Sequence, residues 1–300
     1  MDEYTVAFWT PGTRLPHDKQ LFGCASHGFA NDSRWVGPEK GEHTLWEEKL
    51  KGTLFFGGYD RVLNNLENCG FTPRVCIAFF RKSLGIEQFI KRFNNLLPNV
   101  PIIGGGAAIG ERQNMGDVFP LADEVVLLAV AEGAFELQSL NIYDQTDIEI
   151  EINKTSAREF DKVRLLPDGK WQSAMDFYHQ QQEIRGINRN DFESVAFHDL
   201  TMRNIHCSIK NGQILTGANL PETCRLMLCA VDRKDAVRRL SEFISKERSL
   251  VIGCAGIRSL ILEPVVAGRH SLISFLFGEV VACKNIPMFG NLMLARLTYK

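Results

Sequence analysis

The pattern of apolar and polar positions becomes regular after residue 58. "YDRVLNNLENCG" sets Val62, Leu63 and Leu66 on one helical face, "RVCIAFF" is an unbroken apolar run of strand length, and "IEQFIKRFNNLL" places Ile86, Phe89, Ile90, Phe93 and Leu97 at helical spacing. "NVPII" follows as another strand. This order predicts a β-α-β unit, with a right-handed crossover if its strands are parallel neighbours. Downstream, "DEVVLLAVAEGAFELQSLNIY" predicts two strands turned at Glu132-Gly133 into an antiparallel hairpin. Upstream, "YTVAFW" and "GTLFFGG" predict strands in a first sixty residues otherwise rich in Gly, Pro, His and Asn, a segment expected to be loop-rich.

In the second half, "WQSAMDFYHQQQEIRG" predicts a helix closed by Gly186, which suits a left-handed C-cap. Asn211-Gly212 predicts a two-residue hairpin turn, because both positions tolerate positive φ. A charged amphipathic helix, "RKDAVRRLSEFISKE", leads to the strand "SLVIGCAG", to "SLISFLFGEVVACKNIPMFG", and to a final strand "NLMLARLTY" expected inside its sheet. The acidic, alternating "TDIEIEINK" and the polar stretch after it mark the exit from a first domain, with the boundary between Tyr143 and Lys170. The expected fold class is α+β (α/β): two domains, 1–155 and 156–300, with mixed, largely antiparallel sheets flanked by helices and packed as a layered sandwich.

A chain of 300 residues, 45% hydrophobic, has material for substantial cores. Its formal charge is -2 and its charges are interspersed, which argues against nucleic acid or an anionic membrane surface as a partner. The N-terminus is acidic where a signal peptide is basic, and the apolar span Leu250 to Ala282 is broken by Arg258, Glu263, Arg269, His270 and Glu279. A cytoplasmic location is expected. The eight cysteines lie mostly in apolar stretches, as small hydrophobes do in a reducing compartment, so no disulfide framework is expected.

Small residues recur at strand ends in "LFGCASHG", "IIGGGAAIG" and "VIGCAGI". Gly104-Gly105-Gly106 invites a phosphate-binding reading, but a dinucleotide fingerprint needs G-x-G-x-x-G opening a helix. Here Gly110 falls one residue late, "ERQNMGDVFP" has no helical periodicity, and no lysine follows. A tight turn with positive φ at one or more glycines is expected instead. Bare backbone followed by Glu111, Arg112, Gln113 and Asn114 suits a small polar ligand held by backbone NH groups.

Cys24 and His27 supply too few ligands for zinc, and the chain has no C-x-x-C pair or H-E-x-x-H helix, so no metal is expected. Cys24 and Cys254 are the thiols available to a nucleophile. His198 and His206 flank "DLTMRNI" and are candidates for a catalytic role, although lone histidines in strands are more often hydrogen-bonded structural residues; the arginines of "RKDAVRRLSEFISKER" are read as a solvated helix face. Arg258, directly after "LVIGCAGI", must find an acid, a carbonyl or an anionic ligand.

In order and spacing, "VCIAFFRKSLGIEQFIKRFNNLLPNVPIIGGGAAIGE" with "DEVVLLAVAEG" resembles the N-terminal part of the FIST sensory domain family. "MRNIHCSIKNGQILTGANLPETCRLMLCAVDRKDAVRRL", "LVIGCAGIRSLI", "FLFGEVVACKNIP" and "FGNLMLARLTY" resemble its C-terminal part, so the likeness spans most of Arg74 to Lys300. The resemblance implies a cytoplasmic signal-input domain that binds small ligands, amino acids among them, rather than an enzyme, with a signalling protein downstream. The expected pocket has the backbone of Gly104, Gly105, Gly106 and Ala107 as one wall and Gly253, Cys254, Ala255 and Gly256 as another. Arg203, Arg258 and Glu279 supply charges for a zwitterion. No cofactor is expected. The rival readings are a hydrolase or transferase using Cys254 or Cys24, and a protein-interaction adaptor with a large exposed apolar patch.

Overall fold

A computed structural model of the chain describes residues 1–13, 20–37, 40–81, 85–108, 117–188, 195–198, 204–205, 207–217, 219–260, 267–283, 286–290 and 293–300; at 204, 210, 258–260, 277–279, 282–283 and 286–290 the backbone alone is described. The first segment carries β1 (Asp2–Trp9), β2 (Leu21–Ala25), β3 (Phe29–Ala30), β4 (Trp35–Val36), β5 (His43–Leu45) and β6 (Leu50–Gly57). Next come α1 (Tyr59–Glu67), β7 (Val75–Phe80), α2 (Ile86–Leu96), β8 (Ile102–Gly106), β9 (Val118–Phe119), β10 (Val125–Val130) and β11 (Phe135–Asn141). A middle segment holds β12 (Asp144–Lys154), β13 (Glu159–Leu165), β14 (Gln172–Ser173), α3 (Ala174–Ile184), β15 (Val195–His198), β16 (Asn204–Ile205), β17 (Cys207–Lys210), β18 (Gln213–Thr216) and β19 (Arg225–Ala230). The chain closes with α4 (Arg233–Ile244), β20 (Ser249–Cys254), α5 (Ala255–Leu260), β21 (Leu272–Cys283), β22 (Ile286–Gly290) and β23 (Met293–Tyr299).

The protein is mixed α/β and rich in strand, with two sheets of fifteen and eight strands among the described residues. The larger runs β11-β23-β20-β21-β8-β7-β10-β6-β1-β2-β9, with β3, β4, β5 and β22 attached to its side; the smaller runs β16-β15-β19-β12-β13-β18-β17 with β14 attached to β13. Parallel pairing among the described residues is confined to β1 with β2, β7 with β8, and β20 with β21. The larger sheet therefore takes strands from both ends of the chain, and the smaller takes β12 to β19. Sheet membership changes after Asn141 and again after Ala230, not at 155.

The apolar runs follow from burial on both faces. Along β7, Val75, Ile77 and Phe79 enter a core shared with β1, β2, β10, β20 and β23, whereas Cys76, Ala78 and Phe80 face α1 and α2. A strand covered on both sides has no polar face, so its sequence reads as a continuous apolar run. The helices pack as their periodicity requires: α1 buries Val62, Leu63 and Leu66, and α2 buries Ile86, Phe89, Ile90 and Phe93. On the other half of the sheet, Leu240 and Ile244 of α4 and Ile257 of α5 cover Val251, Ile273 and Leu294. The smaller sheet has its own core, in which Phe177 and Tyr178 of α3 meet Phe160, Phe197 and Leu228.

Several expectations hold. β7, α2 and β8 form the β-α-β unit with parallel strands. Asn211 and Gly212 turn β17 into β18 at φ 52° and 78°. Gly186, at φ 65°, ends α3 in a Schellman arrangement, with Gly186 N donating to Glu183 O and Ile187 N to Gln182 O. β23 lies inside its sheet, between β11 and β20.

Others are corrected. β10 and β11 do not pair with each other: β10 inserts between β6 and β7, whereas β11 crosses to β23. "TDIEIEINK" is no exit segment but part of β12, the central strand of the smaller sheet. Its alternation is that of a strand with one covered face, where Ile150 and Ile152 point into the core. The first sixty residues are less loop-like than their composition suggests, contributing β1 to β6. No helix of the described residues is long and apolar enough to cross a membrane.

Candidate functional site

Gly104, Gly105 and Gly106 form no tight turn. They lie in β8, are buried, and none has a positive φ. Gly104 is glycine because β7 and β8 approach closely: a Cβ there would fall 1.7 Å from Ala78 O. The same requirement recurs in β2, where a Cβ on Gly23 would fall 1.8 Å from Ala7 O across the parallel pair with β1.

The three small-residue stretches nonetheless converge, and β21 brings them together. This long strand changes partners on both edges at its middle. On one edge it pairs in parallel with β20 as far as Cys254–Leu276, then antiparallel with β22 from Glu279–Gly290 onward. On the other it pairs with β3 at Ile273 and Ser274, then with β8 from Phe277–Gly106 to Ala282–Ile102, with a bulge between Phe277 and Glu279. The carboxyl ends of β8 and β20 thus meet head to head on opposite edges of β21.

The third stretch closes this junction from the β2 side. Ala108 N donates to Ala25 O and His27 N to Phe275 O, both at 2.8 Å, and Phe275 N donates to Gly28 O at 3.0 Å. Ser26 Oγ, fully buried, accepts from Ser274 Oγ at 2.8 Å and lies 2.7 Å from Gly28 O. These bonds lock Cys24–Gly28, Gly106–Ala108 and Phe275 into one backbone network. In open α/β sheets, small molecules bind outside the carboxyl ends of strands at a topological switch point.

Of the expected site residues, Gly104, Gly105, Gly106, Ala107, Gly253, Cys254, Ala255 and Gly256 are gathered at this junction. Glu279 stands in register with Gly105, and Arg258 lies in α5, the helix that leaves β20; the side chains of both are outside the described residues, as is the whole of Arg203. His206 also lies outside them.

The thiols behave as packing groups. Cys24 is fully buried in β2, and desolvation pushes its pKa well above the ordinary value, the reverse of what a nucleophile needs. Cys76, Cys207 and Cys229 are buried with pKa values raised for the same reason. Seven cysteines among the described residues stand outside any disulfide, and no metal-binding cluster occurs among those residues. His198 is a buried structural residue, its Nε2 3.1 Å from Asn141 Nδ2. The α4 arginines divide: Arg238 sits on the solvated face with Asp235 and Glu242, whereas Arg239 reaches the backbone of Asn141 and Ile142.

Sequence reasoning passed over Arg81. It follows β7 directly, beside the point where Ala107 N donates to Phe80 O. Its Nη1 donates to Ala122 O at 3.2 Å, and its buried Nε has no hydrogen-bond partner among the described residues. The signal was available: an arginine closing the buried run "VCIAFF" occupies the context that singled out Arg258 after "LVIGCAGI".

No protein-family model and no curated protein matches this chain.

Proposed function

We propose that this protein is a small-ligand-binding signal-input protein, with the ligand held where β8, β20 and the Cys24–Gly28 turn meet at the middle of β21. Amino acids and related small zwitterions or carboxylates are the ligand class. The supporting observation is the convergence of three separate small-residue stretches at one change of sheet partner. Small residues leave little side-chain bulk at this junction, which suits a compact molecule better than a large one. Arg81, Arg203, Arg258 and Glu279 are the charged residues assigned to recognition, the arginines for a carboxylate and Glu279 for an amine. The burial of Cys24 and its raised pKa count against that thiol as a nucleophile. A cytoplasmic signal-input role with a downstream signalling partner follows the resemblance to the FIST sensory domains.

A ligand that binds only the folded state raises the melting temperature with concentration. A thermal-shift screen against amino acids, small carboxylates and nucleotides is expected to give dose-dependent shifts with the first two classes. Arg258→Ala is expected to abolish the shift without changing the melting temperature of the unliganded protein. Unchanged affinity in that variant would remove the ligand from this junction, and a shift with nucleotides alone would overturn the ligand class.

A further inference from the structure

The larger sheet contains the same unit twice. In the first copy β6, α1, β7, α2, β8 and β10 come in that order, with the short β9 before β10, and the strands lie in the order β6-β10-β7-β8. In the second, β11, α4, β20, α5, β21 and β23 come in that order, with β12 to β19 after β11 and β22 before β23, and the strands lie in the order β11-β23-β20-β21. Every pairing matches in sense. β7 with β8 and β20 with β21 are parallel; β10 is antiparallel to β6 and β7, as β23 is to β11 and β20.

The registers match as well. Cys76 to Phe80 face Ile102 to Gly106 in the first copy, and Leu250 to Cys254 face Leu272 to Leu276 in the second. The two copies join antiparallel through β8 and β21, so a two-fold axis perpendicular to the sheet passes beside the Gly106–Phe277 pair. The faces agree too: both pairs of helices lie opposite the core that the two copies share.

The largest difference between the copies lies between their first strand and first helix. Gly58 alone stands between β6 and α1, whereas residues 142–232 stand between β11 and α4. That stretch carries the complete smaller sheet, its helix α3 and its separate core. Its first and last strands are neighbours, with Asp144 in register with Ala230, so the chain leaves and re-enters the larger sheet at nearly one point. Adjacent ends are what an insertion into an existing fold requires.

We infer that the protein is a duplicated β-α-β-α-β-β unit, and that residues 142–232 are a separately folding module inserted into the second copy. The module is seated rather than free. Arg239 of α4 donates to Ile142 O at 2.7 Å and to Asn141 O at 3.3 Å, holding the outgoing strand. Ala196 and Cys229 of the module pack in one core with Cys254 and Ile257, the strand end and helix of the β21 junction. The inference stands whether or not the junction binds a ligand.

Native-state hydrogen exchange of the full chain in increasing urea tests it. Amides of β12 to β19 and α3 are expected to lose protection together at one urea midpoint. Those of β6 to β8, β10, β11 and β20 to β23 are expected to lose it together at another, although they flank the module in sequence. Loss of β11 together with its sequence neighbours β12 and β13, or one midpoint for the whole chain, would overturn the inference. A second variant joins Tyr143 to Val231 through two glycines in place of 144–230. Retention of a cooperative melt and of exchange protection in β20 to β23 supports the insertion, and loss of both counts against it.

Discussion

Gly104 and Gly23 occupy the same place in two different parallel pairs, each facing a carbonyl oxygen of the neighbouring strand too closely for any side chain. Neither side of such a contact can give, because both are backbone in a closed ladder. Gly104→Ala is expected to cost about 3 kcal/mol or more, at or beyond the top of the range for overpacking. Gly253→Ala meets only the Phe275 ring at 3.1 Å and Leu294 Cδ2 at 3.4 Å, side chains that can shift, and is expected to cost about 1 kcal/mol. Urea denaturation of the two variants checks the difference, and equal losses would contradict this account. Cys24 allows a second test at this scale. Burial keeps its thiol protonated at neutral pH, so iodoacetamide is expected to leave Cys24 unmodified in the folded protein and to label it once urea unfolds the chain. Rapid labelling of native Cys24, read by peptide mass spectrometry, would restore it as a candidate nucleophile.

The elements formed where local pattern and local chemistry agreed. α4 begins at Asp232, whose carboxylate accepts from Lys234 N at 2.9 Å and Asp235 N at 3.1 Å, and its apolar stripe carries Leu240 and Ile244 into the core. Asp232→Ala is expected to lower stability by about 1 kcal/mol, the usual cost of losing an N-cap, with Asp232→Asn nearly neutral. A thermal melt of both variants distinguishes the cap from a general charge effect. Elements also show where local signals stop. "AEGAF" carries a turn glycine, Gly133 at φ 107°, and the chain does turn there, but the two strands it joins go to different partners. A turn signal specifies that the chain reverses; it does not specify which ladder each strand completes. "TDIEIEINK" likewise alternates as a strand with one covered face does, and only its pairing with β13 on one edge and β19 on the other makes it a central strand.

Over the whole molecule, buried thiols give stability a predictable pH dependence. Cys24, Cys76, Cys207 and Cys229 all have pKa values raised by burial above the ordinary 9.0. In the unfolded chain they ionise near that ordinary value, whereas in the folded protein they stay protonated well beyond it. Below the unfolded value both states hold the protons and stability is unaffected; above it the unfolded state binds fewer protons, and stability falls as pH rises. The expected loss is roughly 1.4 kcal/mol per thiol for each pH unit above that value. Urea midpoints between pH 7 and pH 10.5 check this, and a flat profile would mean that the four thiols are not held neutral in the fold. The duplicated unit and its inserted module belong to this scale too, since neither repeats anything visible as sequence: "VCIAFF" and "SLVIGC" share a position in the fold and little else.

From sequence alone came the helices α1 to α4, the β-α-β unit around α2, the Asn211-Gly212 hairpin and the internal final strand. Those features depend on periodicity, caps and φ preferences within a few residues of one another. Sequence also drew attention to three small-residue stretches without showing that they meet. Only the tertiary structure decided that β21 exchanges partners at Phe275 to Glu279, that Gly104 to Gly106 are strand rather than turn, and that Arg81 stands beside them. The physical reason is that hydrogen-bond ladders between distant strands are chosen by global complementarity of two faces, which no local pattern of apolar residues encodes.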